Sequence, residues 1–155
     1  MRARIAIAAL LSLTAAGCAG GPTPGVRVDP ERMQYVSRQI ARQREVMERQ
    51  GYAQVGEPRF GALQTGVYEE FEFALAPGNY EIRGFCDQNC GSLALRVYDR
   101  LGQPVASTQR ADDSPVVSVR AHGEGTVRVR VRMAGCRWES CALALAVFQA
   151  ADRTD

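Results

Sequence analysis

A mainly β chain is predicted, an antiparallel β-sandwich of jelly-roll-like character with seven or eight strands, preceded by one amphipathic α-helix. Three observations predict it. Apolar residues recur at helical spacing before Gly51 and alternate with a period of two after Tyr52. The alternating stretches are short and are separated by turn residues, with no helical pattern between them. Four of the five cysteines lie inside the alternating region in two close pairs, a usage typical of small exported domains.

The helix begins at Asp29, a good N-cap, followed by Pro30 at the first helical position and by Glu31, which complements the positive end of the helix dipole. It runs to about Gln50 and stops at Gly51, a residue suited to the left-handed C-terminal cap. Met33, Val36, Ile40 and Met47 form one apolar stripe, and Arg38, Arg42, Arg44, Glu45, Glu48 and Arg49 fall largely off it. Mixed charge and a narrow stripe favour a surface helix laid on the rest of the domain over a membrane-surface helix.

Strands follow in order. Glu70–Leu75 alternates cleanly, Pro77-Gly78-Asn79 turns the chain, and Tyr80–Phe85 continues. Leu93, Leu95 and Val97 mark the next strand, and a turn over residues 99–104 leads to Val105–Thr108. Val116–Val119, Val127–Met133 and the phase of Leu143, Leu145 and Val147 close the series. With one apolar and one polar face per strand, each sheet is expected to be buried on one side only. In Val127–Met133 the alternation places Arg128, Arg130 and Arg132 on one face. They are either a cationic stripe for an acidic ligand or a solvated face balanced by Glu70, Glu72 and Glu81 on other strands, and balance is the reading taken.

The start of the chain has the order of a secretory signal: Arg2 and Arg4, an apolar run Ile5–Ala16, then small residues before Cys18. The run is too short to span a bilayer. The cysteine at the junction makes the segment resemble a bacterial lipoprotein signal, which implies cleavage before Cys18 and acylation of its thiol. Ala15 stands where that pattern usually has Leu, and an ordinary cleavage after Ala16 or Ala19 is the alternative. Ala19 after the cysteine implies the outer membrane, facing the periplasm; a soluble periplasmic or secreted protein is the other expectation. The organisation predicted is a signal at 1–17, a flexible linker at 18–28, the helix at 29–51, a sandwich at 57–149 and a tail at 150–155.

Removing the first 17 of 155 residues leaves 138, enough for one domain with a core. All 19 cationic side chains are arginine; two leave with the signal, and the remaining 17 equal the 17 acids. That balance argues against a nucleic-acid partner. In an oxidising compartment the four other cysteines pair. Three connectivities are open, and the local one, Cys86–Cys90 with Cys136–Cys141, is expected. Each of these bridges is worth about 2 kcal/mol by loop entropy, which suggests loop rigidity more than global stapling. Zinc is the alternative that the compartment disfavours.

Gly51-Tyr52, Gly61-Ala62-Leu63, Tyr80–Asp87, Leu93–Gly102 and Asp113–Val117 together resemble a group of small exported bacterial proteins. Their layout is similar to the β-sandwich of the bacterial pre-peptidase C-terminal domain, over roughly Gly61 to Phe148. The resemblance implies a fold and an exported setting, and no reaction. Where related modules carry two aspartates in the middle strand, Ser92-Leu93-Ala94-Leu95 has none.

No catalytic residue and no cofactor is assigned. His122 is the one histidine, in a turn, and no nucleophile elbow, redox Cys-x-x-Cys or phosphate loop accompanies it. Asp87, Asp99, Asp112 and Asp113 are loop acids whose expected work is turn formation, with calcium the minor alternative. Trp138, the sole tryptophan, either packs under its bridge or stands out as a stacking platform. The function expected is a non-catalytic envelope lipoprotein, anchored to the membrane by its lipid, whose sandwich meets an envelope protein or glycan. The alternative is a carbohydrate- or peptidoglycan-binding module using the Trp138 loop and the Arg128/Arg130/Arg132 face.

Overall fold

Helix α1 (Pro30–Arg49) starts where its cap chemistry places it: the Asp29 carboxylate accepts a hydrogen bond from Glu31 N at 2.9 Å. It ends at Arg49 with Gln50 as its C-cap, and Gly51, with a φ of 82°, turns the chain directly into the first strand. The computed structural model describes residues 29–151; the signal, the linker, Cys18 and residues 152–155 lie outside the described residues. Eight strands follow: β1 (Tyr52–Leu63), β2 (Tyr68–Leu75), β3 (Gly78–Cys86), β4 (Cys90–Tyr98), β5 (Pro104–Ser107), β6 (Val116–Ala121), β7 (Gly125–Cys136) and β8 (Cys141–Ala150).

Their pairing is nested. β1 pairs with β8, β2 with β7, β3 with β6 and β4 with β5, as in one long antiparallel ribbon folded back on itself. Further pairings of β3 with β8 and β4 with β7 join the ribbon into two four-stranded sheets, ordered β1-β8-β3-β6 and β2-β7-β4-β5. This is a jelly roll, the antiparallel sandwich the alternation predicts. Leu75, Ile82, Leu93, Leu95, Val97, Val129, Val131, Met133, Leu143, Leu145 and Val147 fill the space between the sheets. Gly84 faces this core, where a Cβ would come within 2.8 Å of the Pro115 ring, so only glycine lets that loop pass so close.

The expectation that each sheet is buried on one side only is corrected at one sheet. β8 is buried on both faces from Cys141 to Phe148, because α1 lies across its outer side. Val36, Ile40 and Met47 of the helix pack on Phe85, Ala142, Ala144, Ala146 and Phe148. The alanines supply a smooth, low surface that lets the helix backbone approach the sheet, and Phe148 and Phe85 fill the space beside them. Gln39 Nε2 donates to Cys86 O at 2.7 Å and fixes the helix over β3. The other sheet has no such cover among the described residues and turns its outer face to solvent.

Ala144→Phe is therefore expected to lift the helix from the sheet, at a loss of about 1–3 kcal/mol in urea unfolding. Amide exchange should then rise first along Pro30–Arg49, with β4 and β7 still protected; uniform exchange across all elements would contradict the layered packing.

Candidate functional site

Both disulfides, Cys86–Cys90 and Cys136–Cys141, sit at one end of the sandwich. Each follows a turn that leaves one sheet and enters the other: Cys86 ends β3 and Cys90 starts β4, Cys136 ends β7 and Cys141 starts β8. The bridges therefore sit at adjacent corners where the chain crosses from one sheet to the other. Cys90 and Cys136 are register partners. Between the corners, Arg137 N donates to Asn89 O at 2.9 Å. Asp87, only 3% exposed, accepts from Asn89 N through Oδ1 and from Ala142 N through Oδ2. Two backbone donors compensate the burial of this carboxylate and tie the first loop to the second.

Trp138 stands on the Cys136–Cys141 loop with 56% of its surface exposed. One ring face is occupied: the Arg32 guanidinium lies 3.8 Å from the ring centroid and donates through Nη1 to Ser140 O at 2.9 Å. The indole thus joins the start of α1 to the disulfide corner, and one face of the proposed stacking platform is already taken.

Arg128, Arg130 and Arg132 lie on the outer face of the uncovered sheet, away from the helix side that holds Trp138. The structure does not bring these two parts of the sequence-predicted site together; the hollow beside Trp138 and the hollow beside the arginines share no residue. Glu70 is the partner that alternation suggested. Its Oε1 accepts from Arg130 Nε at 2.8 Å, and its Oε2 lies 3.4 Å from Arg128 Nε, which is left without a hydrogen bond. Glu81 lies on the other sheet and holds Arg83. Arg130 also lies over Tyr68 and Tyr98, with centroid distances of 4.5 and 5.1 Å. The bond to Glu70 raises the Arg130 pKa further and keeps the group charged. These tyrosines were not singled out in the sequence; the signal was their place on the same strand phase as the arginines.

Arg96 of β4 faces Arg130 directly across the ladder, and Arg132 faces Ala94. Neither Arg96 nor Arg132 forms an ion pair among the described residues. The small Ala94 leaves a hollow of about 320 Å³ bordered by Tyr68, Arg96, Tyr98, Arg130 and Arg132.

The loop acids act as turn formers. Asp87 Oδ1 accepts from Asn89 N, Asp99 Oδ1 from Leu101 N and Gln103 N, and Asp112 Oδ1 from Ser114 N. The Ser114 bond lowers the Asp112 pKa, while a hydrogen bond shared with Asp112 raises that of Asp113. Among the described residues no three His, Cys, Asp or Glu side chains gather as a metal site. His122 is exposed on the turn between β6 and β7. Glu69 is on the inward phase of β2 and fills the room left by Gly61, where a Cβ would lie 2.5 Å from its carboxylate. Partial burial pushes its pKa above the ordinary carboxylate value.

No family model matches the chain, and no curated protein matches it.

Replacing Cys86 and Cys90 by alanine should cost about 2 kcal/mol in urea unfolding, and so should replacing Cys136 and Cys141. Because the corners hydrogen-bond to each other, losing both bridges should cost more than the sum; additivity within about 0.5 kcal/mol would make the corners independent.

For Glu69 the sign follows from the raised folded-state value. Below about 4.5 the carboxyl is protonated in folded and unfolded chains alike and carries no penalty. As pH rises through the folded pKa, ionisation costs more in the folded chain, and stability is lost. Glu69→Gln should raise the urea midpoint slightly at neutral pH and leave it unchanged well below the unfolded pKa. A deficit of the variant at both pH values would refute this.

Proposed function

We propose that the protein is a non-catalytic cell-envelope lipoprotein whose disulfide-stabilised β-sandwich serves as an interaction module. The observation that carries this reading is the pair of disulfides at the sheet-crossing corners, which fits an oxidising, exported compartment. Among the described residues no helix is long and apolar enough to cross a membrane. The membrane attachment proposed is the acylated Cys18, in the outer membrane and facing the periplasm. Cys18 precedes Asp29 by 11 positions, so the lipid and the helix start would lie at most roughly 40 Å apart. The non-catalytic part is supported by the employment of the loop acids in turns and by the exposed setting of His122. The likeness to pre-peptidase C-terminal sandwiches belongs to the same reading, that of an accessory module.

A second reading, a module for envelope glycan, is favoured by one observation: the uncovered sheet presents arginines and tyrosines together.

Mass spectrometry of the mature N-terminus tests the anchor. The expected species begins at Cys18 and carries acyl mass, and Cys18→Ser should move the protein from the membrane to the soluble fraction. An unmodified chain starting after Ala16 or Ala19 would replace the anchor with simple export.

A further inference from the structure

The outer face of the β2-β7-β4-β5 sheet carries more positive charge than its own carboxylates balance. Arg96, Arg128, Arg130 and Arg132 share this face with Glu70 and Glu72. Glu70 already serves two arginines, and Glu72 forms no ion pair among the described residues. Like charges set directly opposite in an antiparallel ladder are destabilising, yet Arg96 and Arg130 are such a pair. Arg132 lies one strand repeat further along β7, without an acidic partner among the described residues.

We propose that this face binds an acidic oligosaccharide, with Arg96 and Arg132 contacting its anionic groups. The inference deepens the second reading above and rests on it. Charge complementarity requires an anion, and guanidiniums present forked donors suited to carboxylate or phosphate oxygens. Alternate residues along β7 place successive arginines about 6.7 Å apart, which suits a chain of repeated anions better than one small ion. The hollow over Ala94 is shallow and bordered by Tyr68, which is 56% exposed and offers a ring for the apolar face of a sugar. Arg130, held by Glu70 and two tyrosine rings, positions those rings, while Arg96 and Arg132 remain available. A nucleic acid would also answer to arginine and tyrosine, but the disulfides fit an oxidising, exported compartment, away from the cell's nucleic acids.

The test is calorimetric titration of the purified mature chain with four probes: a galacturonic acid oligomer, a neutral N-acetylglucosamine oligomer, a thymidylate oligomer and polyglutamate. Binding of the acidic sugar is expected, with the other three at least about tenfold weaker. Arg96→Ala and Arg132→Ala should each weaken it by about tenfold, whereas Trp138→Ala should leave it unchanged. Tyr68→Ala should weaken it while keeping its salt dependence. No binding of the acidic sugar, equal or tighter binding of the neutral oligomer, thymidylate or polyglutamate, or indifference to Arg96 and Arg132 would overturn the proposal. Binding of both sugars alike would keep the glycan reading and remove its acidic specificity, and binding of neither would remove both. The anchor fails separately: an unlipidated chain that binds the acidic sugar keeps this face and loses the anchor, and a lipidated chain that does not bind does the reverse.

Discussion

The burial of β8 on both faces is the constraint on which the rest of the structure depends. Its inward residues Leu143, Leu145 and Val147 are the centre of the sandwich core, and its outward Ala142, Ala144 and Ala146 form the floor for α1. A strand covered on both sides must pair on both edges, since water reaches neither row of backbone groups. β1 and β3 fill those edges, so the ribbon that carries β1 and β8 is held at its middle. Reducing the outer side chains to methyl groups is what allows a helix to serve as the third layer.

That arrangement makes the two sheets unequal. The helix covers one of them, and its cap residues reach the disulfide corner, where Arg32 lies over Trp138 and bonds to Ser140. The corner is thus fastened from three directions, by two bridges and by the start of α1, with Asp87 tying one loop to the next. The opposite sheet keeps a polar outer face with aromatic and cationic groups interleaved. Rigid support on one side and an open face on the other is the layout a scaffold needs to hold side chains in fixed positions for recognition.

Much of this is legible in the residues. Alternation identifies most strands because a half-buried sheet imposes a period of two, and Asp29, Pro30 and Gly51 bound the helix because caps are local chemistry. The double burial of β8 also has a signature, since Cys141-Ala-Leu-Ala-Leu-Ala-Val-Phe148 is apolar in both phases, but small alanines read as neutral on a pattern tuned to large side chains. What the pattern could not carry is long-range allocation. Glu70 and Glu81 both stand on polar phases, yet one meets β7 and the other lies on the far sheet, because sheet membership depends on the folded ribbon and not on phase. The Arg32–Trp138 contact likewise joins residues more than a hundred positions apart, and no local signal links them.

The same distinction bears on the arginine face. Where phase alone is considered, three arginines and three glutamates look balanced; with the strands in their sheets, one of those glutamates is gone and a fourth arginine, Arg96, has joined. A sequence shaped only for stability would set a carboxylate opposite Arg130 on β4, as it does on β2. Local conflict of this kind, in an otherwise consistent fold, is the mark expected of a surface kept for an interaction rather than for folding. On the proposal that this face binds an acidic oligosaccharide, the anion would supply the charge that β4 withholds. The sheet that the helix leaves open is therefore the one whose charges its own residues leave unbalanced.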